Sequence, residues 1–367
     1  MGIFFSIFDT SVDLYEVEAR ELDKFIHDRL QPDEAFLRQV RNAIHIVCEF
    51  LKARCFSDAS CPIDPRPRVL KVVKGGSSGK GTALKGGSDA DLVVFLDIFR
   101  GYRDQERERS KIIREIERRL RECQQLLNSD VCIERTKYKN PRVLTFKLQS
   151  YSSDDSIEFD VLPAFNALGH YRNGSRPDPQ VYLDLIRSSR GQGSQFSPCF
   201  TELQRDFVRD RPPKLKNLIR LVKHWYKQLP GRKSLPPKYA LELLAVYAWE
   251  HGSHGNYFDM AEGFRTVLWL LQQYKQLCIF WTRFYDFENR ELRQFLQSQL
   301  RKSRPIILDP ADPTGIVGQG SSWDLLAESA ALCTEQRCCR KASGAPVQPW
   351  PVPLQVPWEE DSCCAIL

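Results

Sequence analysis
The stretch that most constrains this chain runs from Lys74 to Leu96. It opens with a glycine-serine turn, Lys74-Gly75-Gly76-Ser77-Ser78-Gly79-Lys80-Gly81-Thr82. After a short spacer come two aspartates at i and i+2, in Ser88-Asp89-Ala90-Asp91-Leu92-Val93-Val94-Phe95-Leu96. In a strand, residues two apart share a face, so Asp89 and Asp91 aim at one point. Carboxylates that close repel unless a proton or a cation sits between them. A hard divalent cation with oxygen ligands, Mg2+, suits such a pair. Glycines upstream let the backbone approach a phosphate, and their N–H groups can cradle it. Together these features predict a metal-assisted phosphoryl- or nucleotidyl-transfer site. A P-loop is excluded: Gly75 stands one residue too near Gly79, and Gly81 occupies the position where Ser or Thr must hold magnesium. The plain alternative for this stretch is an inert hairpin with two surface aspartates.

The 367 residues suggest two domains or one large one. A hydrophobic fraction of 42% and a mean hydropathy of −0.41 fit a globular chain with a sizeable core. The net charge of +6 is a mild excess, so the clustering of the cations decides what they attract. No run of eighteen apolar residues could span a bilayer, and the start lacks the pattern of a secretory leader. The twelve cysteines form no C-x-x-C and show no zinc-type spacing, so a reducing, cytoplasmic setting is expected.

Read in order, Met1-Gly2-Ile3-Phe4-Phe5-Ser6 matches the N-myristoylation pattern at Gly2. Two helices follow, the second with Phe36, Val40, Ile44, Val47 and Leu51 inward. Strands are predicted at Val69–Val73, Leu92–Leu96, Val143–Leu148 and Ile157–Leu162. A charged amphipathic helix is predicted over Asp104–Cys123. Asp160 lies inside an otherwise apolar strand and needs a partner. That partner is either a basic side chain or, as the neighbouring aspartates favour, a shared metal. From Val181 on the period is helical, with helices over Lys238–Trp249, Gly263–Gln273 and Arg290–Lys302 and a short strand at Pro305–Pro310. Beyond Ala342 five prolines mark a disordered tail, which ends Cys364-Ala365-Ile366-Leu367. That is a C-a-a-X box whose Leu favours geranylgeranylation at Cys364, with Cys363 available for a second acyl anchor. The fold class is therefore α+β: a mixed-sheet first half, an all-helical second half, and a cleft between them.

Longer strings carry a resemblance. They are the turn and Asp89–Asp91 strand above, Glu158-Phe159-Asp160-Val161-Leu162-Pro163-Ala164-Phe165, Cys199-Phe200-Thr201-Glu202-Leu203-Gln204-Arg205, Leu218 to Tyr226, Tyr239 to Leu244, and Ile307-Leu308-Asp309-Pro310-Ala311-Asp312-Pro313-Thr314-Gly315. From about Leu22 to Ala330 the chain resembles the 2′-5′-oligoadenylate synthetases of the small single-unit form, and its C-a-a-X end is similar to their membrane-targeted isoform. The resemblance implies a polymerase-beta-type nucleotidyltransferase domain at 20–166 after an extension at 1–19. A helical domain at 167–342 and the tail at 343–367 complete the division. It implies an innate antiviral sensor, with double-stranded RNA as activator and ATP as substrate. The products would be 2′-5′-linked oligoadenylate and pyrophosphate. A prenyl group would hold the chain to endomembranes.

By the same resemblance, Asp89, Asp91 and Asp160 are the catalytic metal ligands. Gly76, Ser77, Arg220, Lys223, Lys238 and Tyr239 lie at nucleotide positions. Lys52, Lys74, Lys80, Arg205, Arg209 and Lys214 fall at or near RNA contacts. Two departures bear on function. Lys238 stands where many members have Gln, and Cys338-Cys339-Arg340 replaces a Cys-Phe-Lys segment linked in some members to self-association. Two other functions compete with this reading: a catalytically silent, membrane-tethered RNA-binding protein, and a cyclic-dinucleotide synthase of the same superfamily.

Overall fold
The computed structural model describes residues 13–57, 61–86, 89–122, 129–133, 141–150, 156–191 and 193–356. The lipidation candidates Gly2 and Cys364 lie outside them. The first unit carries α1 (Leu22–Phe25), α2 (Glu34–Ala53), β1 (Val69–Lys74), α3 (Gly76–Lys80), β2 (Asp89–Leu96), α4 (Tyr102–Glu122), β3 (Ser129–Ile133), β4 (Leu144–Ser150) and β5 (Ser156–Ala164). Its five strands form one sheet in the order β1-β2-β5-β4-β3, antiparallel except for the parallel β2–β5 pair. This is the mixed sheet expected.

Strand alternation sorts the two faces. Ala90, Leu92, Val94 and Leu96 of β2, with Phe146, Phe159 and Val161, pack under α2 and α4 around Val47, Ile112 and Ile116. The opposite face, with Val93, Phe95 and Ala164, meets the second unit. α2 starts where the Asp33 carboxylate accepts the Phe36 N–H at 2.8 Å, and its apolar residues recur at helical spacing down one side.

The second unit comprises α5 (Pro179–Ser189), α6 (Thr201–Arg209), α7 (Pro213–Gln228), α8 (Lys238–His251), α9 (Met260–Gln272), α10 (Arg290–Leu300) and α11 (Trp323–Thr334). The two-residue strands β6 (Cys278–Ile279) and β7 (Ile306–Ile307) pair in parallel. Pro213 opens α7 and Pro179 opens α5, where a missing N–H costs nothing. α8 is buried from Ala240 to Trp249 and packs against α7 and α9.

The structure corrects several sequence-based expectations. The glycine turn is a short helix, α3, because Gly76 and Gly81 take positive φ (+53° and +75°) at its two ends. β2 begins at Asp89, so both aspartates lie within the strand. β3 and α11 were not anticipated. The segment 343–356 is an ordered strap rather than disordered tail. Val347 and Val352 are buried, the Trp350 ring packs edge-on against Phe258 at 5.3 Å, and Trp350 Nε1 donates to Glu262. Gln355 bridges to Cys278 beside β6. Proline-rich composition was a poor guide here because the strap is satisfied by side-chain and edge contacts rather than by internal hydrogen bonds.

Trp350→Ala should lower stability by about 2 kcal/mol in denaturant titration, since a half-buried indole and its hydrogen bond are removed. An unchanged midpoint would mean the strap contributes nothing to the folded state.

Candidate active site
The parallel pairing of β2 with β5 sets Asp91 opposite Asp160, and Asp89 opposite Glu158 two residues earlier. The strand positions of Asp91 and Asp160 belong to the face turned toward the helical unit, because their neighbours Leu92 and Val161 are buried under α2 and α4. Neighbouring strands lie about 4.8 Å apart, so these two carboxylates are juxtaposed. Thr145, opposite Asp160 on β4, donates its hydroxyl to Asp160 Oδ1 at 2.5 Å and orients it. The side chain of Asp89 lies outside the described atoms. An all-oxygen donor set on adjacent strands suits a hard divalent cation.

Above the carboxylates is a cavity of about 300 Å³, lined by Gly76, Ser77, Asp91, Glu158, Asp160, Lys223, Lys227, Lys238 and Tyr239 among others. A second cavity of about 260 Å³ shares Gly76, Lys80, Asp91 and Tyr239 with the first, and adds Ser197, Thr201, Gln204 and Arg205. Asp91 and Tyr239 thus stand between two spaces. A methyl group placed on Gly76 would lie 1.5 Å from Asp91 Oδ2, so only glycine lets the α3 backbone approach the carboxylate this closely. The Gly75 N–H also donates to the Asp91 carbonyl at 2.8 Å.

One carboxylate joins the two units. Glu242 on α8 receives Lys80 Nζ of α3 at 2.7 Å and lies 3.4 Å from Lys223 Nζ of α7, all three being buried. Burial pushes the Glu242 carboxyl up, but Lys80 and then Lys223 outweigh it and hold it below the usual range. Burial lowers Lys223, and Glu242 offsets part of that. Lys80 Nζ also sits 4.2 Å from the centre of the Tyr239 ring. Tyr239 is held in turn by its hydroxyl, which donates to Asp309 Oδ1 at 3.2 Å, and Asp309 accepts Gln204 Nε2 at 2.8 Å.

Of the residues expected at the nucleotide, Gly76, Ser77, Lys223, Lys238 and Tyr239 line the first cavity. Arg220 does not. Its guanidinium donates to the Ala83 and Gly81 carbonyls at 2.9 and 2.7 Å, clamping the loop after α3 from the far side. Lys80 is corrected as an RNA contact: a buried ammonium committed to Glu242 cannot reach a phosphate outside. Lys52 is exposed on α2 and lies 3.8 Å from Glu49. Lys74 borders a separate cavity of about 410 Å³ with Arg41, Ser78, Lys216 and Arg220. Arg205 and Arg209 on α6 pair with Asp206 at 3.0 and 3.1 Å, and Lys214 pairs with Asp23 at 2.5 Å. Thr145, Glu158, Glu242 and Asp309 were missed as site residues. Only register and tertiary packing bring them in, and a single strand or helix carries no signal for that.

Two tests follow from this arrangement. Glu242→Gln leaves two buried ammonium groups around a neutral amide and should cost about 3 kcal/mol in chemical denaturation. A cost under about 0.5 kcal/mol would mean that the ion triad does not hold the units together. Asp312, beside Asp309, is fully buried and pushed up to about 7 by burial and then by Asp309. Its Oδ1 accepts the Thr314 N–H and hydroxyl, while Oδ2 has no partner among the described residues. An acid whose folded-state pKa lies above its unfolded value of 3.8 favours the folded state least when ionised. Stability therefore falls as pH rises from about 4 to about 7, then levels. Asp312→Asn, neutral throughout, should gain on wild type between pH 5 and pH 8, by on the order of 2 kcal/mol in melting experiments. A pH-independent difference would contradict this.

Comparison with known proteins agrees with this architecture. A nucleotidyltransferase domain model matches residues 56–149, and the model for the C-terminal second domain of 2′-5′-oligoadenylate synthetase 1 matches 175–355. The chain is 55% identical over 348 residues to the 2′-5′-oligoadenylate synthase 3 of Rattus norvegicus, covering 94% of this chain but 30% of that longer protein. It is 49% identical to the 2′-5′-oligoadenylate synthase 1A of the same species, covering 94% of this chain and 98% of that one. The solved structure of an E. coli CdnC in complex with HORMA-ΔN shares the fold, with a TM-score of 0.52 at 14% identity. That match covers 87% of this chain and 90% of the other. On these sequence relationships, the chain belongs to the 2′-5′-oligoadenylate synthase family.

Proposed function
We propose that the chain is an RNA-activated nucleotidyltransferase that joins ATP into 2′-5′-linked oligoadenylate and releases pyrophosphate, acting in innate antiviral defence. The observation that carries this reading is the in-register placement of Asp91 beside Asp160 beneath a cavity walled by lysines. Asp91 and Asp160, with Asp89 on the same strand, would hold Mg2+. When bound, the cation neutralises phosphate charge and acidifies a sugar hydroxyl.

In this reading the chain's own groups do the rest. Lys223 and Lys238, with Ser77 and the N–H groups of α3, bind the triphosphate in one cavity. Tyr239 divides it from the second cavity, where the acceptor nucleotide sits. The acceptor hydroxyl oxygen bonds to the α-phosphorus as the bond to the pyrophosphate oxygen breaks. Asp160, held by Thr145, takes the hydroxyl proton. Preference for the 2′ hydroxyl and for adenine rests on kinship alone.

Activation is assigned to a duplex-RNA footprint of Lys52, Lys74, Arg205, Arg209 and Lys214. The Lys52–Glu49 pair is exposed on both sides and contributes little, so a phosphate can replace Glu49 cheaply, whereas Arg205 and Arg209 balance the buried Asp206 and would meet phosphate with their remaining N–H groups. α3 packs against α6, and the Arg205 side chain lies against Gly79. Pressure on that face would therefore reach Gly76 and Asp91 through one rigid turn. Prenylation at Cys364, with a cytoplasmic, endomembrane-bound location, belongs to the same proposal. No helix among the described residues is long and apolar enough to cross a membrane.

Incubation with ATP, Mg2+ and duplex RNA, read by pyrophosphate release and product mass, tests the proposal. Synthesis should need the duplex, and Asp91→Asn should lower it by about a thousandfold or more while RNA binding persists and weakens steeply with salt. RNA binding without synthesis by the wild type would make the chain a silent RNA binder. A cyclic product would make it a dinucleotide cyclase. Wild-type turnover in Asp91→Asn would remove the carboxylate assignment.

A further inference from the structure
Outside the cleft, three cysteines converge. Cys333 lies in the last turn of α11, and Cys338 and Cys339 lie in the short turn Arg337–Cys339 that follows. All three are fully buried, and their sulfurs lie within 4.8 Å of one another. The linear spacing, C-x4-C-C, matches no standard zinc pattern, so nothing in the spacing groups them. The fold does so by reversing the chain after Thr334.

We propose that Cys333, Cys338 and Cys339 bind a soft d10 metal ion, Cu(I) or Zn(II), through three thiolates. Three sulfurs about 2.3 Å from one ion stand about 4 Å apart, so the observed spacing needs only a small contraction. No further His, Cys, Asp or Glu among the described residues joins the group. Three sulfur ligands alone suit Cu(I) better than Zn(II), which favours four.

The surroundings match the charge such a centre would carry. On α9, which packs against both α11 and the cysteine turn, Arg265 has Nε and Nη1 buried without a hydrogen-bond partner among the described residues. An unpaired buried guanidinium is costly, and a thiolate centre of net negative charge supplies its counterpart. Binding exchanges three S–H bonds for three S–metal bonds and releases the protons to solvent, with no change of oxidation state. The centre would pin the turn to α11 at the place where Arg337 also reaches Glu16 and Glu18, in the segment before α1.

The test is metal analysis of the full chain, expressed with zinc or with copper and purified anaerobically under reductant. About one equivalent of one metal should survive a chelator wash, and its X-ray absorption should show a first shell of sulfur. Cys338→Ser with Cys339→Ser should lose it, while Cys61→Ser with Cys132→Ser, which removes thiols elsewhere, should keep it. Less than about a tenth of an equivalent under both supplements would overturn the proposal. So would a nitrogen or oxygen shell, or metal lost only from the second variant. If the first variant fails to fold, the absorption spectrum of the wild type still decides.

Discussion
The parallel pairing of two strands is the constraint on which the site depends. β2 and β5 could satisfy their backbones in other registers, but their apolar residues can be buried under α2 and α4 in only one phase. That phase turns Asp91 and Asp160 to the same side and sets them opposite each other. Two like charges in this position are unfavourable by themselves. The hydrophobic face beneath them fixes the backbone that keeps them together. A site of this kind stores electrostatic strain that a cation or a phosphate-bound cation relieves.

Above the carboxylates, polar contacts add to the apolar packing between the units. Glu242 binds lysines from α3 and α7 at once, so the glycine helix and the helical unit share one buried charge. Arg220 grips the loop after α3 from behind, and Tyr239 is positioned through Asp309. α3 is therefore the element best placed to relay events at the basic surface to Asp91. It touches Asp91 through Gly76 at one end and α6 through Gly79 near the other. A five-residue helix held by one ion pair rather than by a broad apolar face can shift while exposing little core.

The legible part of this structure was local pattern. The D-x-D strand, the isolated Asp160, the helix period of the second half and the proline-led helix starts all announce themselves within a few residues. Contacts set by packing were not legible. The burial of Lys80 follows from where α8 brings Glu242, some 160 residues away in sequence. Arg220 shares a face of α7 with Lys223 and Lys227 but sits a turn earlier, where the Gly81 and Ala83 carbonyls take its guanidinium, and the motif does not reveal that. The strap at 343–356 reads as a linker by composition, yet Val347, Trp350 and Val352 find pockets on α9 and beside β6. The cysteine trio depends on a chain reversal that no spacing rule encodes.

The measurement that bears most directly on the central claim is the position of a divalent cation. Crystals grown with Mn2+ and a non-hydrolysable ATP analogue would show it by anomalous scattering. The account requires a peak within coordination distance of both the Asp91 and Asp160 carboxylates, on the wall of the first cavity. A peak elsewhere, or a bound nucleotide with no cation between these strands, would contradict it.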